Sequence, residues 1–124
     1  MTWYAATIIS VVRVRTGKQE TFPVWEDVCL IEAASDDDAF RKAETLGKSR
    51  EIDDRTTMLD GVAASVVYLG VRKVGRIINP FPEAPAESPP KHGSEISFSK
   101  YTLASANDLN LLVQGKSVPV IYEE

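Results

Sequence analysis

Few side chains in this chain are equipped for catalysis. There is one histidine, His92, and one cysteine, Cys29. His92 sits in Pro90-Lys91-His92-Gly93, with no carboxylate beside it in sequence to orient or charge an imidazole. Cys29 lies in the apolar run Val28-Cys29-Leu30-Ile31 and reads as a small buried hydrophobe. A reactive thiol would need a cation or a helix N-terminus nearby to lower its pKa, and neither is visible locally. The serines lack a plausible histidine partner, and no glycine-rich phosphate loop exists. Gly115-Lys116-Ser117 has the ending of such a loop, but Asn110 stands where its first glycine belongs.

Two acidic groups remain. Asp36-Asp37-Asp38 could suggest a Mg²⁺ or Ca²⁺ site. In the first turn of a helix, however, successive side chains diverge by roughly 100°, and carboxylates there are favoured by the helix dipole. Glu51, Asp53 and Asp54 form the second group. In an extended segment Glu51 and Asp53 share a face and could act as an acid/base pair if one were buried. Arg50 and Arg55 flank them, which favours a solvated polar segment. The reading is therefore no catalytic residue, no metal and no cofactor, with Glu51, Asp53 and Asp54 as the alternative acidic site. The aromatic residues Trp3, Trp25 and Tyr68 are the candidates for a contact surface. Trp3 and Trp25 would line it if they met across a hairpin.

These groups ride on a chain of 124 residues, which fits one domain, 1–124. Net charge is −4, so the chain lacks the field that draws proteins to phosphate backbones. Arg72, Lys73 and Arg76 are a short basic patch best read as a solvated strand end, and nucleic acid is not expected as a partner. Trp3 to Val12 is apolar, but no Lys or Arg precedes it and Arg13 and Arg15 end it. Val62 to Val71 is too short to span a bilayer as a helix. The expectation is a cytoplasmic protein without membrane contact.

Periodicity orders the elements. Residues 3–14 and 22–33 read as strands joined by the turn Thr16-Gly17-Lys18, an antiparallel hairpin. Phe22, Val24, Val28 and Leu30 would share one face of the second strand, with Trp25, Cys29 and Ile31 on the other. Pro23 lacks a donor and marks an edge or bulge. Ser35 caps a helix with Asp38 at the capping-box position. Its stripe is Ala39, Phe40, Ala43 and Leu46, and Gly47 is expected to close it in a left-handed conformation. A weak strand or extended connection over 50–59 leads through Asp60-Gly61, a hairpin signal, into the strand 62–74, where Gly70 suggests a bulge, a bend or a close approach. A proline-rich loop covers 79–93. A strand over 94–103 follows, with Ile96, Phe98 and Tyr101 inward. Ser105 then caps a short helix through Leu109, Leu112 and Val113, closed by Gly115. Val118 to Tyr122 ends the chain as an edge strand.

The order β-β-α-β-β, loop, β-α-β predicts an α+β domain: an antiparallel sheet, one main helix on one face and a short C-terminal helix. Both faces of the first two strands are apolar. The second face needs cover from the Leu109–Val113 helix or from a partner chain.

Several stretches resemble a family of small bacterial proteins, domain-of-unknown-function family 4288. They are Trp3-Tyr4-Ala5-Ala6, the strand Glu26 to Ala33, the helix Ser35 to Ala43 with Gly47, Tyr68-Leu69-Gly70-Val71, and Ser94-Glu95-Ile96-Ser97-Phe98. The resemblance covers about residues 2–103. It implies a bacterial-type cytoplasmic protein and carries over no active site. The functional expectation is a non-enzymatic protein-interaction module, partnered by another protein or by a second copy of itself. One version is an acidic inhibitor or immunity-type partner of a basic protein, since opposite charge speeds encounter. The alternative is a small-molecule-binding or carboxylate-based enzyme domain around Glu51–Asp54.

Overall fold

The structure, a computed structural model, describes residues 1–54, 56–80 and 88–123. The middle of the proline-rich segment, 81–87, and the flanking Arg55 lie outside them. The elements are β1 (Thr2–Val14), β2 (Val24–Ala33), α1 (Asp36–Ser49), β3 (Met58–Leu59), β4 (Val62–Arg76), β5 (Tyr101–Thr102), α2 (Ala106–Val113) and β6 (Ile121–Tyr122). This is the predicted α+β class with an antiparallel sheet. The main sheet runs β2-β1-β4-β3, and β5 and β6 form a separate two-stranded ribbon.

β1 is central, and its sequence says why. It is flanked by β2 and β4, and the run from Tyr4 to Ile8 is buried at every position. The β1–β2 hairpin has the register Tyr4↔Ile31, Ala6↔Cys29, Ile8↔Asp27 and Ser10↔Trp25. Gln19 ties its link shut: its amide oxygen accepts from Val14 N at 3.0 Å and its Nε2 donates to Val12 O at 2.7 Å. The Asp60-Gly61 hairpin forms as predicted. Both residues take positive φ, 51° and 80°, the pairing a two-residue primed turn requires.

Helix α1 lies on the face carrying Tyr4, Ala6, Ile31 and Ala33, and buries Ala39 and Ala43 against them. Phe40, expected in the stripe, points outward. Ser35 Oγ accepts from Asp38 N at 3.1 Å, and Asp38 Oδ2 accepts from Ala34 N at 3.0 Å. That N–H, then the Arg41 and Lys42 cations, hold the Asp38 carboxyl below its usual range. A depressed carboxyl pKa contributes stability that is present above the unfolded value and is lost as pH falls through the folded one. Thermal unfolding should therefore show an acid limb below about pH 4 that Asp38→Asn makes shallower; an unchanged limb would remove Asp38 from the cap.

Two further expectations are corrected. Gly47 does not end α1. The helix continues through Ser49 to a C-cap at Arg50, and Gly47 is buried inside the last turn. A neighbour sets this: a Cβ at Gly47 would lie 2.5 Å from the Tyr68 ring, so the position serves close approach. The strand predicted over 94–103 reduces to Tyr101–Thr102, with Phe98 exposed. Alternation there has no continuous partner strand: Glu95 bridges Ile78, and the pairing stops. Residues 50–59, expected as a weak strand or extended connection, form the short strand Met58–Leu59 and a bridge from Ile52 to Val66. At Gly70 the suggested irregularity is present. β4 carries one extra residue against β1 at Leu69 and another at Arg72.

Candidate interaction surface

The two edges of the main sheet are treated differently. Along the outer side of β4, Ile52 exchanges two backbone hydrogen bonds with Val66, at 3.1 and 2.8 Å, and Thr57 O accepts from Ala64 N at 2.9 Å. Glu51 Oε2 then accepts from Tyr68 N at 2.9 Å, a carboxylate in the place of a strand carbonyl. That edge is occupied from Val62 to Tyr68.

β2 forms the other edge. Val12 N donates to Pro23 O, so Pro23, Trp25, Asp27, Cys29, Ile31 and Ala33 turn their backbone groups toward β1. By alternation, Val24, Glu26, Val28, Leu30 and Glu32 turn theirs outward. Lys42 Nζ donates to Glu32 O at 2.8 Å and blunts one end. Among the described residues no strand pairs with the stretch from Val24 to Leu30. Edge strands are ordinarily kept short or covered; this one is 10 residues long.

The side chains of this edge are apolar and half exposed: Val24 51%, Trp25 50%, Val28 50% and Leu30 48%. Val24, Val28 and Leu30 share the sheet face opposite α1, as the sequence periodicity predicted. Trp25 lies on the α1 face. Helix α2 was one of the two candidates to cover the open face, and it does not. It buries no residue, and Val113 is 88% exposed. Its ends form as expected: Ser105 Oγ accepts from Asp108 N at 3.2 Å, and Gly115, at φ 77°, closes it with Gly115 N donating to Leu112 O and Lys116 N to Leu111 O.

The three aromatic candidates separate. Trp3 pairs in register with Glu32 and Trp25 with Ser10, so the two indoles lie near opposite ends of the hairpin and on opposite faces. They do not line a common pocket; the strand pleat forbids it, because Trp3 falls on an odd position of β1 and Ser10 on an even one. Tyr68 also pairs with Ser10, so Trp25 and Tyr68 flank the same β1 residue on the α1 face. Tyr68 packs under α1 against Gly47, and burial raises its phenol pKa. Of the three, Trp25 is on the open edge.

The acidic residues are each tied to a different group. Glu51 holds the β4 edge. Asp53 pairs with Arg15 at 2.5 Å. Asp54 Oδ1 accepts from the backbone N–H of Thr56 and Thr57 at 3.0 and 2.9 Å and from both hydroxyls, which holds its carboxyl below the usual range. Asp54 is thus the organiser of a turn. Among the described residues no group of three or more His, Cys, Asp or Glu side chains is placed to hold a metal ion. His92 is exposed. A concavity of about 370 Å³ lies between the β1–β2 link and the β3–β4 hairpin, lined by Lys18, Gln19, Glu20, Thr21, Leu59 and Asp60, with Val14 and Val62.

The basic patch has a role that sequence alone did not reveal. Lys73 Nζ lies 4.8 Å from the centre of the Phe98 ring and donates to Phe98 O. Arg72 lies 4.6 Å over the Tyr122 ring, which meets Tyr101 edge-on at 5.6 Å. Arg76 Nε approaches Asp36 Oδ1 at 3.7 Å. The cations fasten the C-terminal ribbon to the β4 bulge. Each exposed cation–π contact is worth about 0.5–1 kcal/mol. The double variant Arg72→Ala, Lys73→Ala should speed amide exchange across residues 98–123 and leave protection of β1 unchanged. Equal exchange in both proteins would show that the ribbon is held otherwise.

The fold is an α+β sheet with the β4 edge covered from Val62 to Tyr68 and the β2 edge open from Val24 to Leu30. The chain belongs to the family described as Domain of unknown function (DUF4288), which it matches over residues 3–97. No curated protein and no solved structure matches it. The aromatic residues that grip Arg72 and Lys73 lie beyond the matched stretch.

Proposed function

We propose that this protein is a non-enzymatic interaction module whose contact surface is the outer edge of β2 with its half-exposed side chains. The observation that carries this reading is the contrast between the edges. β4 is capped from Val62 to Tyr68 by backbone and by Glu51, whereas Val24 to Leu30 offers outward N–H and C=O groups beside Val24, Val28 and Leu30. Edge addition is a recurring mode of recognition: backbone bonds supply affinity and alternate side chains supply specificity. The commitment of Glu51, Asp53 and Asp54 to separate local partners also favours binding over catalysis. A reducing, cytoplasmic setting is part of the same proposal, supported by the unpaired Cys29.

The test is a photo-crosslinking residue placed at Val28 in the full-length protein, in native host cells. A protein adduct, greater than that from the same residue at Lys18, is expected. Equal or absent adducts at positions 24, 28 and 30 would end the reading.

A further inference from the structure

We infer that the strand added at this edge is β2 of a second copy, paired antiparallel about a two-fold axis at Val28. This rests on the interaction reading above and names its partner.

The backbone limits the registers. In an antiparallel pair, residues directly opposite each other must both turn their hydrogen-bonding groups toward the partner or both turn them away. A strand pairing with its own copy can therefore centre only on a residue, never between two. β2 runs from Val24 to Ala33, so the registers using most of it centre on Asp27, Val28, Cys29 or Leu30.

Charge and the blunted end select among the four. Centring on Leu30 sets Val28 against Glu32, whose carbonyl already accepts from Lys42 Nζ. Centring on Asp27 places that carboxylate against its own copy in the closer, non-hydrogen-bonded type of pair. Centring on Cys29 places Glu26 opposite Glu32. Like charges directly opposite are destabilising. Centring on Val28 sets Val28 against Val28, Glu26 against Leu30, Asp27 against Cys29 and Trp25 against Ile31, with no like-charged pair. The acidic residues, with the Lys42 bond to Glu32 O, keep the edge from pairing at random and favour this self-complementary register. Glu26, Val28 and Leu30 all turn their backbone groups outward, so the pairing closes about six backbone hydrogen bonds. The exposed Val28 and Leu30 side chains of both copies then lie on one continuous open face, an isologous contact that closes on itself.

The register is directly readable by cysteine crosslinking. Opposed residues in a hydrogen-bonded pair have Cα atoms about 5.5 Å apart, within disulfide reach. In a Cys29→Ser background, Val28→Cys should crosslink on mild oxidation. Glu26→Cys and Leu30→Cys should not crosslink singly and should do so when combined. Sedimentation should give a dimer for the wild type, and Val28→Lys should weaken it about tenfold or more, through lost apolar burial and opposed charge, with circular dichroism unchanged.

A monomer at millimolar concentration overturns the inference, and so does crosslinking by native Cys29 or by Leu30→Cys alone. If the photo-crosslinker at Val28 captures only a different protein, self-pairing fails and the interaction reading stands. If it captures nothing, both fail.

Discussion

Ile8→Ala should lower the free energy of unfolding by about 2–5 kcal/mol. Ile8 is fully buried, with no exposed surface, at the centre of the central strand. Its register neighbours are Asp27 on β2 and Val71 on β4, and its Cγ2 lies 3.0 Å from where a Cβ on Gly47 would stand. The side chain thus fills the space between the last turn of α1 and the sheet. Removing three carbons there loses their transfer free energy and leaves a void walled by a helix and two paired strands, which cannot collapse freely. Urea denaturation followed by circular dichroism measures the effect. The midpoint should fall with little change in slope. A loss under about 1 kcal/mol would mean that α1 does not seat on β1 at this point.

Gly47→Ala sets two effects of opposite sign against each other. Within a helix, replacing glycine by alanine favours folding by about 0.8–1 kcal/mol. Here the added carbon would meet the Tyr68 ring at 2.5 and 2.6 Å and Ile8 at 3.0 Å. Overpacking of this kind costs about 1–3 kcal/mol. The ring is backed by the sheet below, so packing should win and the variant should lose about 1–2 kcal/mol net. Gly70→Ala is the control. A Cβ there meets nothing within 4 Å, and the backbone is not left-handed. Restricting the unfolded chain should make that variant equal to or up to about 1 kcal/mol more stable than wild type. Equal melting temperatures for the two variants would show that the close approach of α1 is not what limits position 47.

Local patterns were legible wherever one residue decides its own surroundings. Ser35 and Ser105 cap their helices because a short side-chain oxygen reaches only the backbone just ahead of it. Asp60-Gly61 turns because both positions accept positive φ. Pro23 marked that end of the strand as an edge or a bulge because it has no donor to give; its nitrogen faces β1, and Gln19 Nε2 donates to Val12 O in its place. Gly47 was misread because a glycine near a helix end has two physical reasons to be there. Sequence shows the residue, but not the Tyr68 ring 21 positions later that decides between them. The stretch 94–100 alternates like a strand and is not one, because alternation describes side chains while a strand also needs a neighbour's backbone.

The candidate surface was half visible. The shared face of Val24, Val28 and Leu30 followed from a period of two, and so did the need for a second cover. What covers it did not follow, because α2 has the right amphipathic composition and lies elsewhere. Trp3 and Trp25 looked like a pair because both are indoles on adjacent strands, and register separated them.

By itself, the sequence determined the class of fold, the shared face of Val24, Val28 and Leu30, the serine N-caps and the Asp60-Gly61 turn, since each depends on contacts a few residues long. Only the tertiary structure decided that β1 is central, that Glu51 closes one sheet edge while β2 leaves the other open, and that Arg72 and Lys73 clasp Tyr122 and Phe98. Those outcomes depend on which distant segments meet, and the free energy of such meetings belongs to pairs of surfaces that no local window of the chain contains.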